Sequence, residues 1–258
     1  MDKNLVNGFL DRVRAAGGII REQWADEKRI AFKGRIDLVT QTDLAVEACL
    51  LRALPELLPG SAVLAEESHT TLTPDGLSWI VDPVDGTTNY AHGLPMTAVS
   101  VALWRDGRAE LGAVYAPMLD ELFWAVRGGG AFLNGRPIGV SAETEMCKAL
   151  IATGFPYSVC EEADEICSRL RRVLKASQGV RRFGSAAIDL AYTACGRFEG
   201  FYETSLKPWD TAAGWLLVEE AGGRVSGADG KDYDFSGHMI VASNGHVHEA
   251  LLELLRLD

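Results

Sequence analysis

The chain has 258 residues, 47% of them hydrophobic and 24% charged, ordinary values for a soluble globular protein and enough length for one large body or two intimately packed halves. A formal net charge of -11 argues against non-specific nucleic-acid binding, which runs on Lys and Arg. It leaves an anionic substrate open, because bound metal ions can invert the sign of a local site.

Five scattered cysteines (Cys49, Cys147, Cys160, Cys167, Cys195) show no Cys-x-x-Cys pair and read as reduced, small core residues of a cytosolic protein. The start, Met1-Asp2-Lys3-Asn4, opens an amphipathic segment. No run approaches the ~18 apolar residues of a membrane span, so no membrane association and a cytoplasmic location are expected.

From the N-terminus, Leu5, Phe9, Leu10, Val13, Ala16, Gly17, Ile20 and Trp24 recur at helical spacing and predict a long first helix. Lys33 to Asp43 reads as a loop or short hairpin ending at a cap, with Thr42 or Asp43 starting a helix that runs through Leu54 and that Pro55 ends. Ser61 to Ala65 is strand-like and finishes in the acids Glu66 and Glu67.

Next comes the stretch around which the chain is organised, Ser78 to Asn89. Trp79 to Val81 is an apolar run suited to a buried strand, and Pro83, lacking an N–H, is expected to stop the ladder. Asp82 and Asp85 are thereby delivered together at a strand end. Gly86 allows close backbone approach, and Thr87, Thr88 and Asn89 supply hydroxyl and amide groups. The plain reading is a strand followed by an Asp-Pro/Asp-Gly turn. The chemical one is that two carboxylates leaving a buried strand repel unless a cation lies between them, and oxygen-only donors suit Mg²⁺ rather than zinc. Phosphatases that attack with an aspartate use Asp-x-Asp-Gly-Thr near the start of the chain. Here two residues separate the acids and the motif lies about a third of the way along, which disfavours a phosphoaspartyl mechanism.

A β-rich stretch follows. Ala98 to Trp104 and Ala109 to Tyr115 flank an Asp106-Gly107 turn, Glu121 to Val126 is another strand, and Asn134-Gly135 another turn. Gly128 to Gly130 lacks the spacing and following helix of a nucleotide loop. Thereafter helix and strand alternate: Glu161 to Lys175 as helix, Gly179 to Phe183 as strand, Ser185 to Cys195 as helix and Gly200 to Glu203 as strand. A helix from Trp209 to about Ala221, strands near Val225 and at Met239 to Ala242, and a closing helix from about His246 complete the chain. Asp210 falls in the first turn of its helix, where a carboxylate caps favourably. Meander first and alternation later suggest layered sheets and helices in one α/β or α+β body.

Glu66-Glu67-Ser68, Asp82-Pro-Val-Asp-Gly-Thr-Thr-Asn89 and Trp209-Asp210-Thr211-Ala212-Ala213-Gly214 closely resemble, in order and approximate spacing, the inositol monophosphatase family of Mg²⁺-dependent, lithium-sensitive phosphatases. Val84 stands where isoleucine is commoner, and Ala65 where glycine is. The resemblance implies a layered α-β-α-β-α sandwich of the inositol monophosphatase/fructose-1,6-bisphosphatase type and a homodimer. It implies one phosphatase domain over 1–258, with the metal motif in residues 1–145 and the substrate-side residues in 146–258. It implies that Glu66, Asp82 and the Val84 carbonyl hold one Mg²⁺, that Asp82, Asp85 and Asp210 hold a second, and that Glu66, with Asp43 through water, serves a weaker third. Thr87, bonded towards Asp43, would orient the attacking water, making Glu66, Thr87 and Asp43 the catalytic set. The N–H groups of Gly86 and Thr87 would bind phosphate.

On the alcohol side the resemblance points to Asp85, Asp210, Glu203 and the Gly184-Ser185-Ala186 loop, although Glu203 also reads as a solvated strand-end acid. Arg181 and Arg182 are expected at a surface or interface, with reach to the substrate as the alternative, His92 as structural, and His246 and His248 as solvated. The activity expected is hydrolysis of myo-inositol monophosphate. Histidinol phosphate is the alternative, with fructose 1,6-bisphosphate and adenosine 3′,5′-bisphosphate as further family substrates. A protein-binding role in transcription is the reading of another class.

Overall fold

The computed structural model describes residues 1–68 and 76–256. Helix α1 (Lys3–Glu22) buries Val6, Phe9, Val13, Ala16 and Ile20 along one stripe, the spacing of an amphipathic helix. A hairpin of β1 (Ile30–Phe32) and β2 (Leu38–Thr40) leads to α2 (Gln41–Leu57). Then come β3 (Ala62–Ala65), β4 (Leu77–Asp85), the short α3 (Thr87–Ala91), β5 (Ala98–Arg105), β6 (Arg108–Ala116), β7 (Glu121–Val126), β8 (Gly130–Leu133) and β9 (Arg136–Ile138). The second half holds β10 (Leu150–Thr153), α4 (Val159–Ala176), β11 (Gly179–Arg181), α5 (Ala186–Ala194), β12 (Gly200–Thr204), α6 (Pro208–Glu220), β13 (Arg224–Gly227), β14 (Met239–Ser243) and α7 (His248–Leu255).

Strands β3 to β9 form a seven-stranded sheet in sequence order, antiparallel except where β3 lies parallel to β4. Strands β11-β10-β12-β14-β13 form a five-stranded sheet. Strand alternation sends Trp79, Val81, Val99, Val101 and Leu103 towards α1 and α2, and Ile80, Ala98, Ala102 and Trp104 towards α5 and α6, as a two-residue period requires. Both faces of the large sheet are covered, so its strands read as unbroken apolar runs. On the far side of the small sheet, Ile151, Tyr202 and Val241 pack with Val173 of α4 and Leu251 of α7. The order of layers is α-β-α-β-α.

Several local expectations are corrected. Pro55 does not end α2. The helix continues to Leu57, because its last turn is held against α1 by Arg12, which donates to the Ala53 carbonyl at 2.8 Å, and by Leu57 packed on Gly8. Its cap is Thr40, two residues earlier than expected. Pro83 does not stop β4 either. The ladder skips at Pro83 and Val84 and resumes with Asp85 opposite Ala98, the signature of a β-bulge. The cysteines are all free, but only Cys195 packs against the core; Cys147, Cys160 and Cys167 are exposed, the last two on α4, which buries only Val173. His248 is fully buried rather than solvated, because the start of α7 tucks its ring between Ser226 Oγ and Ser243 Oγ, each 2.8 Å from a ring nitrogen. Among the described residues no helix is long and apolar enough to cross a membrane.

Candidate active site

Strand β4 delivers the first acids. Residues three apart on a regular strand face opposite sides of the sheet. The bulge between Asp82 and Asp85 cancels that, and both carboxylates line one cleft of about 510 Å³ together with Val84 and Gly86. Within the bulge the Val84 N–H donates to Asp82 Oδ1 at 3.0 Å. Gly86 turns the chain with φ 87°, and a Cβ there would lie 2.7 Å from the Met96 carbonyl oxygen, so conformation and space both require glycine.

Thr87 opens α3. Its Oγ1 lies 2.9 Å from Asp43 Oδ1 and 2.9 Å from the Val84 carbonyl oxygen, and its single hydrogen can serve one of them at a time. Asp43 is fixed from behind by a capping box: its Oδ2 accepts from the Thr40 N–H at 2.9 Å and from the Thr40 hydroxyl. Glu66, just after β3, is located by its N–H bonded to the Val81 carbonyl at 3.1 Å.

The other half of the chain closes the site. Ser185 caps α5, its Oγ accepting from the Ile188 N–H at 3.3 Å while donating to Asp85 Oδ2 at 2.6 Å. The Ala187 N–H donates to the same oxygen at 2.7 Å. Asp210, in the first turn of α6, caps that helix by accepting from the Lys207 N–H at 2.6 Å, and it also lines the cleft. Glu203 stands on β12 at the opposite wall.

Burial is the first cause of perturbed charge here and crowding the second. Asp82 is pushed well above the ordinary carboxyl range by burial, then by Glu66, Asp85 and Asp210. Asp210 is pushed well above it by burial, then by Glu66 and Asp85. Burial raises Asp85 to about 6 even though Ser185 and the Ala187 N–H pull it down. Burial, then Asp85, raises Glu203 to about 8, and burial also raises Glu66 and Asp43. Lys33, from the β1–β2 hairpin, places its Nζ 2.8 Å from Glu66 and 2.9 Å from Glu67. Burial would lower that ammonium, but the two acids outweigh it and hold it above its usual range.

The donor set fits a hard divalent cation: oxygen atoms only, buried, and mutually repelling without added positive charge. The acids surround the cleft without being collapsed on one point. Among the described residues no group of three His, Cys, Asp or Glu stands in a ligating array, and Lys33 pairs with Glu66.

Of the residues singled out in the sequence, Glu66, Asp82, Val84, Asp85, Gly86, Thr87, Gly184, Ala186, Glu203 and Asp210 all line the cleft, and Asp43 stands behind Thr87. Ser185 is the exception. It is buried, and its hydroxyl is spent on Asp85 and the cap instead of facing the cleft. Arg182 is exposed, as expected, and, as the alternative had it, also lines the cleft, its guanidinium over the Phe155 ring, 5.5 Å from the centroid. Arg181 remains exposed, as expected, and so does His92, which only caps α3.

Two residues escaped the sequence reading. Lys33 lay in the expected loop without a role. Asp189 lies fully buried on α5 with neither carboxylate oxygen hydrogen-bonded among the described residues. Burial, then Glu203 and Asp85, pushes it well above the usual range. An acid in an otherwise apolar helix four residues after Ser185 was the available signal.

The model of the inositol monophosphatase family matches residues 3–257. The chain is 42% identical to inositol-1-monophosphatase of Synechocystis, over 95% of this chain and 86% of that protein. It is 41% identical to Nus factor SuhB of Salmonella typhimurium, over 94% and 92%. The crystal structure of extragenic suppressor protein suhB from Bartonella henselae superposes with a TM-score of 0.93 at 38% identity, covering 98% of this chain and 99% of that one. With the family model matched over essentially the whole length and relatives at 41–42% identity, the chain belongs to the inositol monophosphatase family.

Proposed function

We propose that the chain is a Mg²⁺-dependent phosphomonoesterase whose substrate is myo-inositol monophosphate, released as inositol and phosphate. The observation that carries this reading is the set of acids lining one cleft, Asp82 and Asp85 buried and Glu66 and Asp210 half-buried, together with Thr87, which is hydrogen-bonded to Asp43 behind it. Glu66, Asp82 and the Val84 carbonyl would hold one ion, and Asp82, Asp85 and Asp210 a second. A weaker third would use Glu66 and, through water, Asp43. When bound, Mg²⁺ supplies positive charge for the phosphoryl oxygens and acidity for water.

The chain's own residues do the remainder. Thr87 Oγ1, with its hydrogen directed to Asp43 Oδ1, presents a lone pair to the attacking water. The water's proton passes to Thr87 as the threonine hydrogen moves to Asp43, whose raised affinity for protons suits that task. The Gly86 and Thr87 N–H groups receive phosphate oxygens. Attack is in line and no phosphorylated residue forms. Glu203, on the far wall, meets the alcohol hydroxyls. The enzyme works as a cytoplasmic homodimer.

Phosphate release from a panel of inositol 1-phosphate, histidinol phosphate, fructose 1,6-bisphosphate and adenosine 3′,5′-bisphosphate, with Mg²⁺ or a chelator, tests the reading. The expected result is Mg²⁺-dependent turnover that Li⁺ inhibits, highest for inositol 1-phosphate and absent in Asp82→Asn. Turnover undiminished by that substitution would remove the bridging role, and a different best substrate would change the alcohol but not the class. The name of the Salmonella relative favours one second reading, a protein contact in transcription. Asp85→Asn separates the two, because it would abolish turnover and spare binding to the transcription machinery.

A further inference from the structure

Strands β10 and β12 are parallel neighbours, with Thr153 opposite Tyr202. One step further along, Gly154 therefore lies beside Glu203 on the same face, where side chains of adjacent strands normally meet. Here only one side chain exists. A Cβ built on Gly154 would fall 2.1 Å from both Glu203 carboxylate oxygens and 2.2 Å from Cδ. The carboxylate lies across the glycine, in the volume any other residue would fill. The backbone at Gly154 is outside the left-handed region, so glycine is required there for space and not for conformation. Glu203 also lines both the main cleft and a small cavity of about 10 Å³ behind it, bounded by Thr153, Gly154 and Tyr202.

We propose that Gly154 is a specificity-determining position: the gap it leaves holds the Glu203 carboxylate withdrawn at the alcohol end of the cleft. This sets both the direction of the carboxylate and the room left for a polyhydroxylated leaving group. Any side chain at 154 swings the carboxylate off its seat, since the flexible end of Glu203 moves at lower cost than the strands. Gly154 touches no reacting atom, and its effect reaches the substrate only through Glu203. The inference rests on the proposed contact of Glu203 with alcohol hydroxyls.

The test compares Gly154→Ala, Glu203→Ala and the double variant, each with inositol 1-phosphate and with an aryl phosphate that carries no hydroxyls. Gly154→Ala is expected to raise KM for inositol 1-phosphate roughly tenfold, the worth of one hydrogen bond to a charged group. It should leave aryl phosphate turnover within about twofold and add nothing beyond about twofold once Glu203 is alanine. Equal loss on both substrates, no change on either, or effects that multiply in the double variant would overturn it. If Gly154→Ala fails to fold, the double variant should recover folding, and a double variant that also fails would overturn the pairing. Should Glu203→Ala itself treat the two substrates alike, the proposed role of Glu203 fails. Should Glu203→Ala discriminate while Gly154→Ala does not, only the role of Gly154 fails.

Discussion

Ser185 Oγ donates to Asp85 Oδ2 at 2.6 Å across 100 positions of chain, and the bond joins the first sheet's bulged strand to the first turn of a helix in the second half. The serine therefore acts at two levels: it caps α5, and together with the Ala187 N–H at 2.7 Å it fixes one oxygen of an acid that lines the cleft. Ser185→Ala should cost about 1 kcal/mol of stability through the cap. It should also raise the Mg²⁺ concentration for half-maximal activity a few-fold, since an Asp85 held by the Ala187 N–H alone would be a less firmly placed ligand. A Mg²⁺ titration of activity beside a urea melt checks both. Lost stability with an unchanged Mg²⁺ requirement would reduce Ser185 to a cap.

The Thr87–Asp43 pair should control rate and not binding. Thr87→Val removes the hydroxyl but keeps the shape, and is expected to lower kcat by roughly 10²–10³ with KM within a few-fold. Thr87→Ser should retain most of the activity. A rise in KM with kcat preserved would assign Thr87 to substrate binding.

The acid ring makes the cation-free protein less stable than its core permits. Asp85 rises to about 6 and Glu203 to about 8, so each holds its proton more tightly folded than unfolded. Their contribution is fully present below the ordinary carboxyl range, and it is lost as pH rises through about 6 and about 8. Asp82→Asn should accordingly raise the Tm of chelator-treated protein by a few degrees while abolishing both turnover and the upward Tm shift on adding Mg²⁺. Differential scanning fluorimetry reads all of this except turnover. A lowered Tm in the cation-free variant would contradict the crowding.

His248 has the opposite dependence. Burial lowers its pKa from 6.5 to about 4. The unfolded chain therefore takes the proton first as pH falls, and stability drops between about 6.5 and about 4. The full penalty is roughly 3 kcal/mol at ~1.4 kcal/mol per pH unit. His248→Asn, measured by urea unfolding at pH 7 and pH 5, should be less stable than wild type at pH 7 but show a smaller loss on acidification. Equal losses would mean the ring is not the titrating group.

What the sequence disclosed were local events. Asp82 and Asp85 were visible because an apolar run ends in acids, and Asp210 because it opens a helix rich in small residues. The bulge that lets Asp82 and Asp85 share a face was not visible, since Pro83 predicts a stop as well as it predicts a skip. Contacts between distant segments were equally hidden. Ser185 reads as a loop hydroxyl until the two sheets fix its distance to Asp85. Arg182 reads as a surface or a substrate-side residue until its place beside Phe155 in the cleft is seen, and the short strand β10, which ends at Thr153 just before Gly154, offers too few residues to show a period.

The strands of the first sheet end at Ile138 and those of the second begin at Leu150, so the chain passes between them once, along a mostly exposed segment. Asp82, Asp85 and Thr87 lie on one side of that passage, and Ser185, Glu203 and Asp210 on the other. Severing the segment would yield two polypeptides, the first keeping Asp43, Glu66, Asp82, Asp85 and Thr87 but lacking Glu203 and Asp210, and the second the reverse. Phosphate release from a mixture of the two would then report their reassembly directly, turning the enzyme into its own complementation assay.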